Sequence, residues 1–174
     1  MHIRLVLYTT PLLALFASTA SAQAGQSVRL PWDLPAAQAS AQLERSGFRR
    51  GAADGSAYVA APGGGFRRVA GDSSVSTYLR DSGGVAESIF MRARAGRPAQ
   101  LFYSVVGDSA AVHAKLAAAA ADAAGRLGTG AVERGLPTWH PADGQRLTVP
   151  SRPTRLPDNR FQFVVLFQRA RADQ

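Results

Sequence analysis

The sequence predicts an α+β fold: an antiparallel sheet of about six to eight strands with two helices packed on one face. Three observations carry this expectation. Residues 98–128, PAQLFYSVVGDSAAVHAKLAAAAADAAGRLG, pass from an aromatic and β-branched run into an alanine-rich stretch with an apolar stripe at helical spacing. Residues 87–94 alternate in polarity and turn through Ala95-Gly96-Arg97-Pro98 into that run, the pattern of a hairpin. FQFVVLF at 161–167 has little polar interruption, as expected of a strand inside a sheet rather than at its edge.

Taken in order, the chain opens with a basic start at Arg4, a short apolar run over 5–17 and small residues up to Ala24. This is the pattern of a secretory signal peptide, with cleavage expected after Ala22, or after Ala24 as second choice. A membrane anchor would need ~20 apolar residues, and the run is shorter. Residues 23–174 then form a single α+β domain. Removing 1–22 takes Arg4 and no acid, leaving 19 basic against 12 acidic residues, or net +7.

Residues 27–30 read as a short strand. Asp33 can cap a helix with Pro35 in its first turn. Ala36, Ala39, Ser40 and Leu43 share one face of that helix, and Gly47-Phe48 is a Schellman ending. Short strands follow at 57–61, 66–70 and 75–80, separated by glycine-rich turns. The glycines at 63–65 lack the Lys-Ser/Thr pair and the helix that a phosphate loop requires. Gly107-Asp108-Ser109 breaks the central strand and caps a helix whose stripe is Val112, Leu116, Ala119, Ala123 and Leu127, with Asp122 and Arg126 paired on its flank. Gly128 stops it. Beyond lie a short strand at 131–134, a loop at 135–144, a strand at 146–149, a proline-rich loop and the strand at 161–168.

Two units emerge, each a helix followed by antiparallel strands, with halves at 27–106 and 107–169. This order resembles the small exported bacterial α+β domains of the beta-lactamase-inhibitor-protein, BamE-like and PepSY-like type. LPAAQASAQLERSGFRR followed by DGSAYVAA also resembles the opening of BamC-type helix-grip domains. These resemblances imply a fold and an exported setting, and no functional residue carries over from them.

The chemistry-bearing residues are sparse. The chain has no cysteine, and beyond the leader only His113 and His140 remain, with no metal-ligand spacing. No G-x-S-x-G elbow and no close carboxylate pair is present, so no catalytic residue, metal or cofactor is assigned. Arginine outnumbers lysine 19 to one, a bias expected of a GC-rich bacterial genome. Arginines nevertheless gather beside rings, where guanidinium forks suit anionic surfaces. The candidate binding residues are therefore Arg92, Arg94, Arg97, Arg67, Phe66 and Tyr58, together with Trp139 and His140 in a proline-flanked loop. The hairpin tip at 94–97 is expected to project beyond the sheet as a basic stripe.

The reading that follows is an exported, non-catalytic interaction domain of the bacterial cell envelope. Its expected partner is an envelope protein or an anionic envelope component rather than nucleic acid. The alternatives are a small periplasmic hydrolase-like enzyme using His113 or His140, and an inhibitor of a secreted or periplasmic enzyme. An enzyme would place a histidine in a concave pocket with serines or carboxylates converging on it. An inhibitor would expose an aromatic patch.

Overall fold

A computed structural model describes residues 28–51, 57–60, 66–69, 75–82 and 84–170, with the backbone alone for 57–60 and 66–69. The elements run α1 (Ala36–Arg45), β1 (Arg49–Arg50), β2 (Ala57–Ala60), β3 (Phe66–Val69), β4 (Val75–Ser82), β5 (Val85–Arg94), β6 (Arg97–Gly107), α2 (Ser109–Leu127), β7 (Ala131–Glu133), β8 (Leu136–Trp139), β9 (Gln145–Thr148), β10 (Thr154–Arg155) and β11 (Phe161–Arg169). The fold is α+β. Nine strands form one sheet with the order β1-β4-β5-β6-β11-β9-β8-β7, and β10 pairs with β11 off that path. β2 and β3 make a separate two-stranded sheet. Every pairing among the described strands is antiparallel. The expected leader lies outside the described residues, as does the glycine run at 63–65.

β6 and β11 pair at the centre of the sheet. Their composition explains the placement. Leu101, Tyr103 and Val105 pair across the strands with Phe167, Val165 and Phe163 in one buried layer, and Val85, Ile89 and Met91 of β5 extend it. Ala39 and Leu43 of α1 and Val112, Leu116 and Ala123 of α2 join the same core cluster. Leu116 and Phe163 are both buried there, as the helical stripe and the strand alternation require.

α1 ends as its sequence dictates. Gly47 is left-handed at φ 83°, Phe48 N–H bonds Leu43 O at 3.1 Å, and Gly47 N–H bonds Glu44 O at 3.0 Å. These are the two bonds of a Schellman motif, and Phe48 folds back beside Leu43 in the core. A β-carbon at Gly47 would meet only the Arg80 side chain, at an ordinary 3.7 Å, so the cost of substitution is conformational. Gly47→Ala is expected to lose about 1 kcal/mol, read as a shifted midpoint at unchanged slope in a denaturant melt.

Four expectations need correction. Residues 28–31 carry no strand pairing. Val28 and Leu30 are buried in irregular backbone, and long side chains satisfy its carbonyls: Gln42 donates to Arg29 O and Arg126 to Leu30 O. Asp33 does not cap α1; the N-cap is Pro35, and Asp33 is drawn instead into an ion pair with Arg126 at 3.0 Å. The segment 135–144 is not all loop, because β8 occupies Leu136–Trp139. Its Pro137 is tolerated where a carbonyl is needed, accepting from Val149 N–H at 3.1 Å.

The fourth correction concerns the β5–β6 hairpin tip, which does not stand free. Its turn is only Ala95-Gly96, both at positive φ (49° and 71°), the two-residue geometry that matches strand twist. Gly96 O accepts the N–H of Ala36 at 2.8 Å, satisfying a donor that the start of α1 would otherwise leave unpaired. Behind the turn, Arg92 pairs with Gln100 and Ala93 with Pro98, so Ala99 is bulged out.

Candidate functional site

The sequence-derived candidates fall into three groups. Arg94 and Arg97 are cross-strand partners at the exposed end of the β5–β6 hairpin, and Arg92 sits half-buried beside Gln100 with its guanidinium 3.5 Å from the amide oxygen. Phe66, Arg67 and Tyr58 belong to the β2–β3 hairpin, where their backbones pair, and their side chains lie outside the described residues. Trp139 and His140 turn out to have separate roles. Trp139 is buried, and its indole N–H donates to Gly128 O at 2.9 Å, tying β8 to the end of α2. Gly130 is required there, since a β-carbon would come within 2.6 Å of the Trp139 ring.

His140 is exposed. Its Nε2 donates to Glu133 Oε1 at 2.6 Å and its Nδ1 to Gln145 O at 3.1 Å. Both acceptors call for a proton, so the hydrogen bond to Glu133 holds the imidazole pKa above its usual value. His113 is also exposed, with Nδ1 donating to the backbone oxygen of Ser109 at 2.7 Å and the ring tilted against Phe161. Among the described residues, His140 meets the carboxylate of Glu133 and His113 lies 3.4 Å from the Ser109 hydroxyl, both at exposed positions.

The structure gathers a different set. At the end of the sheet where the β5–β6 turn meets α1, a cleft of about 480 Å³ is lined by Arg29, Trp32, Asp33, Arg97, Arg126 and Arg169, with apolar residues and Gln145 completing the wall. Its floor is a stack. Trp32 lies 6.1 Å from the Phe167 ring at 21°, and the Arg126 guanidinium covers the Trp32 ring at 3.7 Å. Arg126 is held from several directions, pairing with Asp33 at 3.0 Å and Asp122 at 3.3 Å and donating to Leu30 O at 3.1 Å. Asp33 also reaches Arg29 at 3.5 Å.

Arg169 contributes an Nε that is buried and has no hydrogen-bond partner among the described residues. Arg97 is exposed, and its guanidinium makes no hydrogen bond or ion pair among the described residues. Four arginines therefore face one acid in the lining, and a second acid, Asp122, touches only Arg126. Another concavity of about 610 Å³ lies between β8 and β10, with Arg152 and Arg155 on its rim. It is built from exposed loop residues, and Arg155 is engaged with Asn159 at 2.6 Å.

A second charged cluster is internal. Glu87 on β5 has no exposed side-chain area, and it accepts two hydrogen bonds from Arg80 (3.0 and 2.8 Å), one from Tyr103 (2.5 Å) and one from Lys115 (3.1 Å). Burial pushes its carboxyl pKa up, but the bonds from Arg80 and Tyr103 and the charges of Arg80 and Lys115 outweigh burial and hold it below the usual range. Tyr103 is pushed the other way, by burial first and then by the Glu87 charge. Arg80 also covers the Phe48 ring at 4.4 Å and donates to Ser46 O. The cluster thus ties α1, β4, β5, β6 and α2 together. It is closed to solvent and acts in stability.

Of the cleft residues, sequence reasoning identifies only Arg97. Arg29 and Trp32, Arg126, and Arg169 come from three distant segments, and no local motif marks them as binding residues. Among the described residues no group of three or more histidines, cysteines, aspartates or glutamates is placed to hold a metal ion. The exposed large hydrophobics described are Leu79, Val132 and Leu136, none of them aromatic. Among the described residues no helix is long and apolar enough to cross a membrane. No protein family, curated protein or solved structure matches the chain.

Proposed function

We propose that this protein is an exported, non-catalytic binding domain of the bacterial envelope that holds an anionic envelope component. The observation that carries the reading is the cleft at the hairpin end of the sheet, where Arg97 and Arg169 have no counter-charge among the described residues beside a firmly held Arg126. Guanidinium groups in a concave, partly dry site bind anions more strongly than the same groups scattered over a surface. Export is supported by the leader pattern over 1–22. The two helix-plus-strands units are read as tandem halves with both helices on one sheet face, which leaves the hairpin tip and the end of β11 side by side at the cleft.

The test is co-sedimentation of the protein with vesicles of anionic and of zwitterionic lipid, at low and at high salt. Binding is expected only to the anionic vesicles, falling steeply as salt rises. Arg94→Glu combined with Arg97→Glu should abolish it while leaving the thermal melt nearly unchanged, since both side chains are exposed. Equal binding to zwitterionic vesicles, or binding that survives the double reversal, would reject the reading.

A further inference from the structure

We infer that the cleft recognises a compact dianion, the phosphate monoester group, and that Arg97 and Arg169 are the residues that touch it. The inference rests on reading the cleft as an anion site and adds which anion it takes.

Charge balance makes the first argument. Arg29, Arg97, Arg126 and Arg169 bring four positive charges to the lining. Asp33 offsets one through its contacts with Arg126 and Arg29, and Asp122 offsets another through Arg126. Two positive charges remain, which a phosphate monoester neutralises and a single carboxylate or phosphate diester does not.

The floor of the cleft makes the second argument. Ligands that carry rings are commonly held by stacking on an aromatic face, and Trp32 is the aromatic residue of this lining. Trp32 is only 3% exposed, with the Arg126 guanidinium 3.7 Å over its ring and Phe167 stacked at 6.1 Å, so it offers no open face. The site therefore has no platform for a sugar or a base, and its selectivity falls on the charged group itself.

The third argument separates the roles of the arginines. Arg126 spends its donors on Asp33, Asp122 and Leu30 O, so it is a positioning residue that fixes the field of the cleft. Arg169 has a buried Nε with no acceptor, and Arg97 is unengaged among the described residues. Their planar forks match the oxygens of a phosphate. The same chemistry is offered by a free phosphorylated molecule and by a phosphatidic lipid headgroup.

The experiment is calorimetric titration of the protein with inorganic phosphate, sulfate and acetate, alongside flotation with vesicles containing phosphatidic acid or phosphatidylglycerol. Phosphate and sulfate are expected to bind about tenfold or more tighter than acetate, and phosphatidic acid vesicles better than phosphatidylglycerol vesicles, because each lost charged hydrogen bond removes at least that factor. Arg97→Gln and Arg169→Gln should each weaken phosphate binding about tenfold or more, whereas Arg45→Gln, on the exposed side of α1, should not. If Arg169→Gln fails to fold, Arg97→Gln at the exposed turn still decides. Vesicles released by free phosphate would assign the ligand to soluble phosphorylated molecules, and vesicles that resist release would assign it to the lipid headgroup; both support the dianion. Acetate binding as tightly as phosphate, or phosphate binding untouched by Arg97→Gln, would overturn the inference while leaving an anion site standing. Failure of every anion and both vesicle types to bind would overturn the proposed function with it.

Discussion

Glu87→Ala is expected to cost about 3–5 kcal/mol of folding stability, enough to unfold much of the protein. The loss comes less from the missing carboxylate than from what it leaves behind. Lys115 has a side chain only 3% exposed and Arg80 one 12% exposed, and both would lose the carboxylate that holds them. Lys115→Met should cost far less, because Glu87 would still hold both bonds from Arg80 and the one from Tyr103, and the methionine fills similar volume. Urea melts of the two variants separate the explanations. Equal losses would mean that packing, not uncompensated charge, sets the cost.

The same cluster sets an acid limit. The carboxyl of Glu87 is held below its ordinary value, so its contribution is complete above the unfolded pKa of about 4.3 and is lost as pH falls through the folded one. Wild-type stability should therefore decline on acidification below about pH 4.3, and Glu87→Gln should flatten that decline while lowering stability at neutral pH. Urea midpoints measured from pH 3 to pH 7 would show it. A variant as acid-sensitive as wild type would place the acid-sensitive group elsewhere.

The parts of the fold that were legible in the sequence are those specified by neighbours in the chain. The end of α1 follows from Gly47 and Phe48 alone, and the start of α2 from Asp108, whose carboxylate accepts the N–H of Ala111 at 2.9 Å. The central positions of β6 and β11 follow from uninterrupted apolar runs. The features that escape are those where a distant partner outcompetes the local one. Asp33 looks like a helix cap, but Arg126, ninety-odd positions away on α2, offers a full charge and takes it.

Lys115 escapes for a related reason. Apolar periodicity marks Val112 and Leu116 and passes over the lysine between them. Its spacing from Val112 nevertheless puts it on the buried stripe, and its standing as the chain's only lysine was the available signal. The cleft was the least legible feature, because Arg29, Trp32, Arg126 and Arg169 carry no mark of a binding role in their own segments. They meet only when distant parts of the chain come together around the pairing of β6 with β11.

Phe167→Ala is expected to cost about 3–5 kcal/mol and to disturb the cleft as well as the core. The ring is fully buried on β11, so its removal exposes no new surface and leaves a cavity in a layer that cannot readily close. Phe163→Ala, also buried on β11, should cost a comparable amount, since it loses an edge-on contact with Tyr103 at 5.9 Å. The two differ in what lies next to the cavity. Phe167 stacks with Trp32, and the Arg126 guanidinium lies over the Trp32 ring. A tryptophan that loses one stacking partner can tilt into the space, carrying the guanidinium out of line with Asp33 and Asp122. With Trp139 replaced by phenylalanine, Trp32 is the only tryptophan in the chain, and its emission reports on this stack alone. Phe167→Ala should shift that emission and weaken phosphate binding under conditions where the protein is still folded, whereas Phe163→Ala should do neither. Matching emission and binding in the two variants would show that the stack is ordinary core packing and that the cleft does not depend on it.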